Sequence, residues 1–248
     1  MMFTNRRKNT MHSRSWFLGW VLALIVILPA QAQHPLTMEL ETLGARYAEA
    51  AHLSFEVQYQ LYANATSGQP IEELKGTVKK SGERMEQELG PILTLQTEDY
   101  FLRIDHEDRN IVMLDRKMKD KDLGLFPTPS LDSMLVAYAS VTKSSTADGK
   151  YRYVFEGLPK DPRFSGYEIW VDPLTGYIHK LVFHFQDASM LDNLLSEDRP
   201  RLEITYTNYS QSTIEPAELD RSAYLQRQKR QWSPLPAYAS YQFQYQPF

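Results

Sequence analysis

The feature that most constrains this chain is a run of short alternating segments joined by very short turns. Between Leu53 and Leu61 every second residue is apolar, which is the period of a strand with one buried face. Segments of the same kind follow at Glu73–Lys80, Arg84–Leu89, Ile92–Thr97, Tyr100–Asp105 and Asn110–Asp115. The turns between them, such as Ser81-Gly82 and Gly90-Pro91, leave no room for a crossover helix. The pattern therefore predicts antiparallel hairpins in a meander.

The second half of the chain continues this pattern and adds helices. Further strands are predicted at Tyr151–Phe155, Tyr167–Asp172, Tyr177–Phe185 and Arg201–Tyr209. Apolar residues at steps of three and four predict a helix over Leu36–Ala51 and a second one after Ser130. The predicted fold class is mainly β (α+β). The pattern predicts one β-rich domain with a helix at its start and one in its middle.

The N-terminal region has the composition of a cleavable secretory signal. Residues 1–15 carry basic side chains and no acidic one, an apolar run extends from Trp16 to Pro29, and Ala30-Gln31-Ala32 follows. That order is typical of a signal peptide. The apolar run is also shorter than the roughly 20 residues that span a bilayer. We expect cleavage after Ala32 and a location in the periplasm.

The sequence predicts three parts in the chain. Residues 1–32 form the signal peptide, residues 33–213 form the β-rich domain, and residues 214–248 form a C-terminal extension. The extension is expected to be partly ordered and packed on the same domain. Within it, Glu215–Gln231 is a candidate short helix, and aromatic residues alternate close to the C-terminus.

Composition excludes several classes of protein. The chain has no cysteine, which excludes an acylated bacterial lipoprotein and disulfide bonds. Removal of the four basic residues of the signal leaves 23 basic and 31 acidic residues, a net charge of −8. Nucleic acid and anionic membrane surfaces are therefore not expected as partners. We expect no stable membrane insertion, since no second apolar segment is long enough to span a bilayer. We also expect a monomer.

No pattern of residues points to catalysis. His179 and His184 lie five positions apart on one predicted strand, so they point to opposite faces and cannot share a metal. The carboxylates cluster in turns, where they stay solvated instead of acquiring the raised pKa of a catalytic acid. Neither a nucleophile motif nor a phosphate-binding loop occurs. We expect no enzyme activity, no metal and no cofactor.

Aromatic residues are the most conspicuous candidates for a functional role, at 12% of the chain. At period two they are ordinary core residues unless a curved sheet leaves its concave face unfilled, in which case they line an apolar cavity. The candidate ligand-binding residues, all predicted to point into such a cavity, are Phe55, Val57, Tyr59, Leu61, Leu102, Ile104, Leu135, Trp170, Leu181 and Phe183.

Two segments resemble a known family. The hairpin Tyr100-Phe101-Leu102-Arg103-Ile104-Asp105 with Ile111-Val112-Met113-Leu114, and the strand-turn-strand Ile169–Leu181, are similar to the periplasmic outer-membrane lipoprotein carrier family. The resemblance covers Leu36 to Tyr209. It implies a strongly curved antiparallel sheet, or LolA-like half-open β-barrel, with an N-terminal helix and mid-chain helices covering its concave face. The barrel would enclose an apolar cavity that shields acyl chains in the periplasm.

The leading hypothesis is a periplasmic carrier or chaperone that binds lipid or lipoprotein acyl chains for transfer towards the outer membrane. The alternative is a cell-envelope protein-interaction module with a filled core, which works through its C-terminal aromatic tail. A weaker third possibility is an exported hydrolase. An unfilled apolar cavity favours the carrier, a solid core favours the interaction module, and a buried titratable group in a cleft would favour the enzyme.

Overall fold

The alternating segments of the sequence form most of one large sheet. The structure is a computed structural model, and it describes residues 36, 38–115, 140–156, 164–188, 199–229 and 231–247. The strands, in chain order, are β1 (His52–Tyr62), β2 (Glu72–Ser81), β3 (Arg84–Leu89), β4 (Ile92–Gln96), β5 (Tyr100–Asp105), β6 (Asn110–Asp115), β7 (Ser140–Ser145), β8 (Tyr151–Glu156), β9 (Phe164–Asp172), β10 (Tyr177–Phe185), β11 (Arg201–Ser210), β12 (Leu225–Gln228), β13 (Gln231–Pro234) and β14 (Gln242–Gln246).

Twelve of these strands form one open sheet in the order β14-β6-β5-β4-β3-β2-β1-β11-β10-β9-β8-β7, and β12 and β13 form a separate hairpin. Neighbouring strands of the large sheet are antiparallel, except that β14 runs parallel to β6. The sheet is curved and does not close into a barrel. The predicted fold class, mainly β with an open curved antiparallel sheet, is confirmed.

The helix α1 comprises residues 36 and 38–49 of the described part of the chain, close to the predicted limits. Leu40, Leu43 and Tyr47 form its buried face, at steps of three and four. Its C-terminal carbonyl groups are bound by the ammonium of Lys80 from β2. The Lys80 Nζ donates to the carbonyl oxygens of Tyr47, Ala48 and Ala50 at 2.9, 2.8 and 2.7 Å. This contact supplies partners for carbonyls that a helix end leaves unpaired.

Three parts of the prediction differ from the structure or lie outside it. The prediction of a helix within Glu215–Gln231 is wrong. Two short 3₁₀ turns (Pro216–Leu219 and Arg221–Ala223) and the β12–β13 hairpin occupy that stretch. Its apolar residues bury singly on the sheet and do not form the continuous stripe that a helix needs. Strands β7 and β14 were not predicted. The mid-chain helix after Ser130 lies outside the described residues.

Strand register defines two faces of the sheet. Phe55 of β1 pairs with Val78 of β2, and Val57 pairs with Tyr206 of β11, so these side chains share one surface, termed face A. The opposite surface is termed face B. Face A carries the first core cluster, which α1 covers. Its sheet residues are Leu53, Phe55, Val57, Val78, Met85, Tyr153, Phe155, Tyr167, Ile169, Val171, Tyr177, Ile178, Leu181, Phe183, Ile204 and Tyr206.

A second core cluster lies on face B. Met85 of β3 pairs with Gln96 of β4, so Leu93 and Leu95 point away from face A. They are joined on face B by the apolar residues of β5 and β6, namely Tyr100, Leu102, Ile104, Ile111 and Met113. Residues 214–229 and 231–247, termed the tail, cover this cluster with the buried side chains of Ile214, Leu219 and Leu225. The buried apolar face therefore changes from A to B between β3 and β4.

Candidate functional site: an apolar surface on face A

Six of the predicted ligand-binding residues lie together on face A. Phe55, Val57, Leu181 and Phe183 are buried, and Tyr59 and Leu61 are half-buried. The pairs that bring them together cross from β1 through β11 to β10. Tyr59 opposes Ile204, which opposes Leu181, and Leu61 opposes Leu202, which opposes Phe183.

Leu102 and Ile104 were expected in the same cavity, but the structure places them on face B under the tail. The reason is the register of the β3–β4 hairpin. Leu89 pairs with Ile92 across the two-residue turn Gly90-Pro91, so it is the even-numbered positions of β4 that share face A. The odd-numbered residues Leu93 and Leu95 of β4 therefore lie on face B. They pair with Ile104 and Leu102 of β5, so these two side chains lie on face B as well.

Trp170 also lies on face B, contrary to its predicted inward orientation. Its neighbours Ile169 and Val171 are buried on face A, so Trp170 points the other way. Its indole Nε1 donates to the Glu168 Oε2 at 2.9 Å, and the charged ends of Arg152 and Lys180 lie 5.6 and 5.5 Å from its ring. The remaining predicted residue, Leu135, lies outside the described residues.

Face A is closed at the end of the strands that contacts α1 and more open at the other end. Near α1, the Tyr47 hydroxyl lies 2.9 Å from the hydroxyl of Tyr209 and accepts from the Ile178 N–H at 2.8 Å. Far from these contacts, several apolar side chains of face A are only half-buried, and Leu74 is 37% exposed. These side chains, termed the open end, are Tyr59, Leu61, Leu74, Leu89 and Leu202.

The open end is continuous with the buried aromatic cluster. The Phe183 ring, next to Leu202, lies 4.7 Å from the ring of Tyr167 and 5.4 Å from that of Phe164. On the other side, Tyr59 pairs with Leu74. The Leu74 side chain packs closely on Gly90: a Cβ atom added to Gly90 would lie 3.3 Å from the Leu74 Cδ2. The result is an apolar surface that begins in the core and ends in solvent.

Sequence reasoning missed Leu74, Leu89 and Leu202 of this surface. Leu202 opposes Leu61 only because β1 pairs with β11, a contact between distant parts of the chain that no local pattern reveals. Leu74 and Leu89 carried a usable signal. The short turn at Gly82 pairs Ser81 with Arg84. Counting residues away from this turn along both strands places Leu74 and Leu89 on face A.

Two cavities among the described residues are lined by polar and apolar groups in similar measure. One has a volume of about 470 Å³ and lies between the β2–β3 turn, the β4–β5 turn and the tail, with Arg84, Asp99 and Asp220 in its lining. The other has a volume of about 550 Å³ and is lined by side chains of face B that include Glu56, Lys75 and Glu88. Neither is the apolar cavity that was expected, and neither includes a residue of the open end.

Three titratable groups of α1 and the large sheet, Glu168, Tyr47 and Tyr209, have shifted pKa values and structural partners. Burial alone would raise the pKa of Glu168, but hydrogen bonds from His184, Arg152 and Trp170 outweigh it and hold that pKa well below its usual range. Burial raises the pKa of the Tyr47 and Tyr209 phenols. These phenols bind the backbone of β10, since the Tyr209 hydroxyl donates to the Ile178 carbonyl at 2.7 Å.

Two searches of the described residues give negative results. No group of three or more His, Asp and Glu side chains there is placed to hold a metal ion. In the same ranges, no helix combines the length and the hydropathy needed to cross a bilayer.

Solved structures that resemble the chain share little sequence with it. No protein-family model matches the chain, and no curated protein matches it. An uncharacterized conserved protein from Thermus thermophilus is 12% identical with a TM-score of 0.47, over 84% of this chain and 98% of that one. A LolA superfamily protein from Nitrosomonas europaea is 8% identical with a TM-score of 0.33, over 74% and 98% of the two chains. The lipoprotein LppX of Mycobacterium tuberculosis is 8% identical with a TM-score of 0.42, over 75% and 99%.

Proposed function

We propose that this chain is a periplasmic carrier or chaperone that binds lipid or lipoprotein acyl chains on the open end of face A. Bound cargo would then be transferred towards the outer membrane. The observation that carries the proposal is the half-buried apolar surface of Tyr59, Leu61, Leu74, Leu89 and Leu202, which continues a buried aromatic cluster into solvent.

The chemistry of this surface suits an alkyl chain. Removing a methylene group from water contributes about 0.8 kcal/mol, so a chain of several methylenes gains affinity from shape and burial alone. The aromatic rings of Phe183 and Phe164 supply a broad apolar floor, with their centroids 5.4 Å apart. No covalent step and no cofactor are needed. Release follows from mass action when an acceptor binds the chain more tightly.

A second candidate function has its own supporting observation. The core beneath α1 is shielded from solvent, because Leu40, Phe155, Ile169 and Leu181 are all completely buried. A core without an opening beneath the helix favours a cell-envelope interaction module over a carrier with a deep, open cavity. In this alternative the working surface is the C-terminal region, although its residues Tyr238, Tyr241 and Phe243 also pack on the second core cluster.

Binding of a fluorescent fatty acid to the purified protein tests the carrier. Leu74→Asp and Leu61→Asp place a charge on the open end, and we expect each to weaken binding at least about tenfold, because a charge beside an alkyl chain is costly to desolvate. Thr207→Asp is the matched control. Thr207 is exposed on face B, opposite Glu56 of β1, so the same new charge there should leave binding unchanged.

Circular dichroism melts of the three variants separate loss of binding from loss of fold. Absence of probe uptake by the unsubstituted protein, together with no lipid in an organic extract of protein isolated from the envelope, would overturn the carrier. The interaction module would then be the better hypothesis.

A further inference from the structure

β14 forms one edge of the large sheet and leaves half of its backbone groups without a strand to pair with. It runs parallel to β6, and the Gln242 N–H donates to the Arg109 carbonyl at 2.8 Å. Because backbone groups alternate in direction along a strand, those of Gln244 also point to β6. The N–H and C=O groups of Phe243 and Tyr245 point outward, and no strand of the described residues lies on that side.

The side chains of β14 do little to prevent another strand from pairing there. Edge strands are normally protected by charges, by proline or by a bulge. The segment Gln242–Gln246 has no charged residue and no proline, and its register with β6 runs without a shift. Phe243 and Tyr245 lie on face B, opposite Ile111 and Met113. Phe243 packs on the second core cluster, whereas Tyr245 is 39% exposed and donates to the Asp115 Oδ2 at 2.6 Å.

The sequence of this strand reads almost the same in both directions. Gln-Phe-Gln-Tyr-Gln is symmetric in residue type about Gln244. In an antiparallel pair of identical strands related by a two-fold axis, each residue opposes its mirror position in the other copy. With the axis at Gln244, Phe243 of each copy opposes Tyr245 of the other, and aromatic pairs of this kind stabilise a sheet. We propose that β14 pairs with β14 of a second copy of this chain, with the two-fold axis at Gln244.

The backbone geometry agrees with that register. Phe243 opposes Tyr245 of the second copy, and both have outward-pointing N–H and C=O groups, so the two residues form a hydrogen-bonded pair. Gln244 opposes itself as a pair without backbone hydrogen bonds, which fits its backbone groups pointing to β6. A shift by one residue would turn the aromatic side chains of one copy to the opposite face from those of the other.

The other edge of the sheet lacks this symmetry. The strand β7 at that edge reads Ser-Val-Thr-Lys-Ser-Ser. If two copies of β7 paired antiparallel about its centre, Lys143 of one copy would oppose Thr142 of the other. Lys143 also bears a charge, which is one of the usual protections of an edge. Self-pairing is therefore less favourable at β7 than at β14. Two paired strands of this length make a small interface, so we expect a dimer that forms and dissociates with concentration.

Sedimentation equilibrium of the purified protein tests the dimer. The apparent mass should rise from one chain towards two as concentration increases. Gln244→Lys places two ammonium groups opposite each other at the axis, and we expect it to weaken dimerisation several-fold. A mixture of the Gln244→Lys and Gln244→Glu proteins should restore the dimer as a heterodimer. Gln242→Lys is the matched control, because Gln242 opposes Gln246 and the two added charges do not meet.

A backbone substitution provides a second test. Tyr245→Pro removes an outward N–H that β6 does not use, so it should abolish the dimer while β14 stays in place. Tyr245→Ala removes the same side chain, keeps the N–H and should still dimerise. A monomer mass at every concentration would overturn the proposal, as would a dimer that Gln244→Lys and Tyr245→Pro leave unchanged. Both results are independent of fatty-acid binding.

Discussion

The sheet consists of two halves that bury opposite faces. In the half formed by β1, β2 and β7–β11, apolar side chains are buried on face A, where α1 covers them. In the half formed by β4, β5 and β6, they are buried on face B beneath the tail. β3 is the boundary, because Met85 on face A and Glu86 on face B are 8% and 7% exposed. One continuous ladder of strands therefore carries two separate cores.

The two covers are attached by different chemistry. α1 is held at a few points, through Lys80 at its C-terminal end and through the ion pair of Glu39 with Lys143 at 2.6 Å. The tail is held by stacked and charged groups, with the Arg221 guanidinium 4.1 Å from the ring of Tyr100 and 4.2 Å from that of Trp232. At the opposite end of the strands from these helix contacts, face A keeps an open apolar surface, which is where we place the ligand.

The largest expected effect comes from equal truncations in the two cores. Leu181→Ala on face A and Leu102→Ala on face B each remove a completely buried side chain, and each should lower the free energy of unfolding by about 2–5 kcal/mol. Urea denaturation measures both. Leu174→Ala, at a position 94% exposed, serves as the control without effect. A much smaller loss for Leu102→Ala would mean that the tail is only loosely packed and that the comparison of two equal cores fails.

Removal of the Lys80 ammonium tests the attachment of α1. Lys80→Met leaves three carbonyl groups at the helix end without their charged donor, so we expect a loss of about 1.5–3 kcal/mol in the free energy of unfolding. Lys75→Met, on the same strand but 69% exposed on face B, should cost much less. Equal losses for the two variants would show that the helix end is held by other contacts.

The smallest expected loss of stability concerns the charged side chains on face B of β8 and β9, on the other side of the sheet from the first core cluster. Glu168 accepts from Arg152 at 2.8 and 2.7 Å and is 7% exposed. Glu168→Gln should lower the free energy of unfolding by about 1–2 kcal/mol at pH 7. Since the pKa of Glu168 is held below its ordinary value of 4.5, its contribution is present above that pH and is lost as the pH falls through the folded pKa.

Thermal unfolding of both proteins from pH 7 to pH 3 measures this difference. The gap between the unsubstituted protein and Glu168→Gln should narrow on acidification. A gap that is constant with pH would mean that Glu168 stabilises the sheet through packing and not through its charge.

Much of this architecture could be predicted from local pattern, and the errors have physical causes. Strands β1–β6 and β8–β11 were identified because alternation and turn residues are local signals. Leu102 and Ile104 were assigned to the wrong face, although counting residues across Gly90-Pro91 gives the right one. The parallel pairing of β14 with β6 and the pairing of β1 with β11 join distant segments, and a single sequence holds no local trace of them.

The late position of the tail in the chain has a consequence for the newly made protein. Strands β4–β6 are synthesised before the residues that cover them, and until then Leu93, Leu102 and Ile111 form an apolar patch facing water. Pairing between distant segments forms slowly, and such patches promote aggregation in the interval. A folding helper that protects the nascent chain would therefore bind face B. Maturation and the proposed cargo binding would then use opposite sides of one sheet, so neither would interfere with the other.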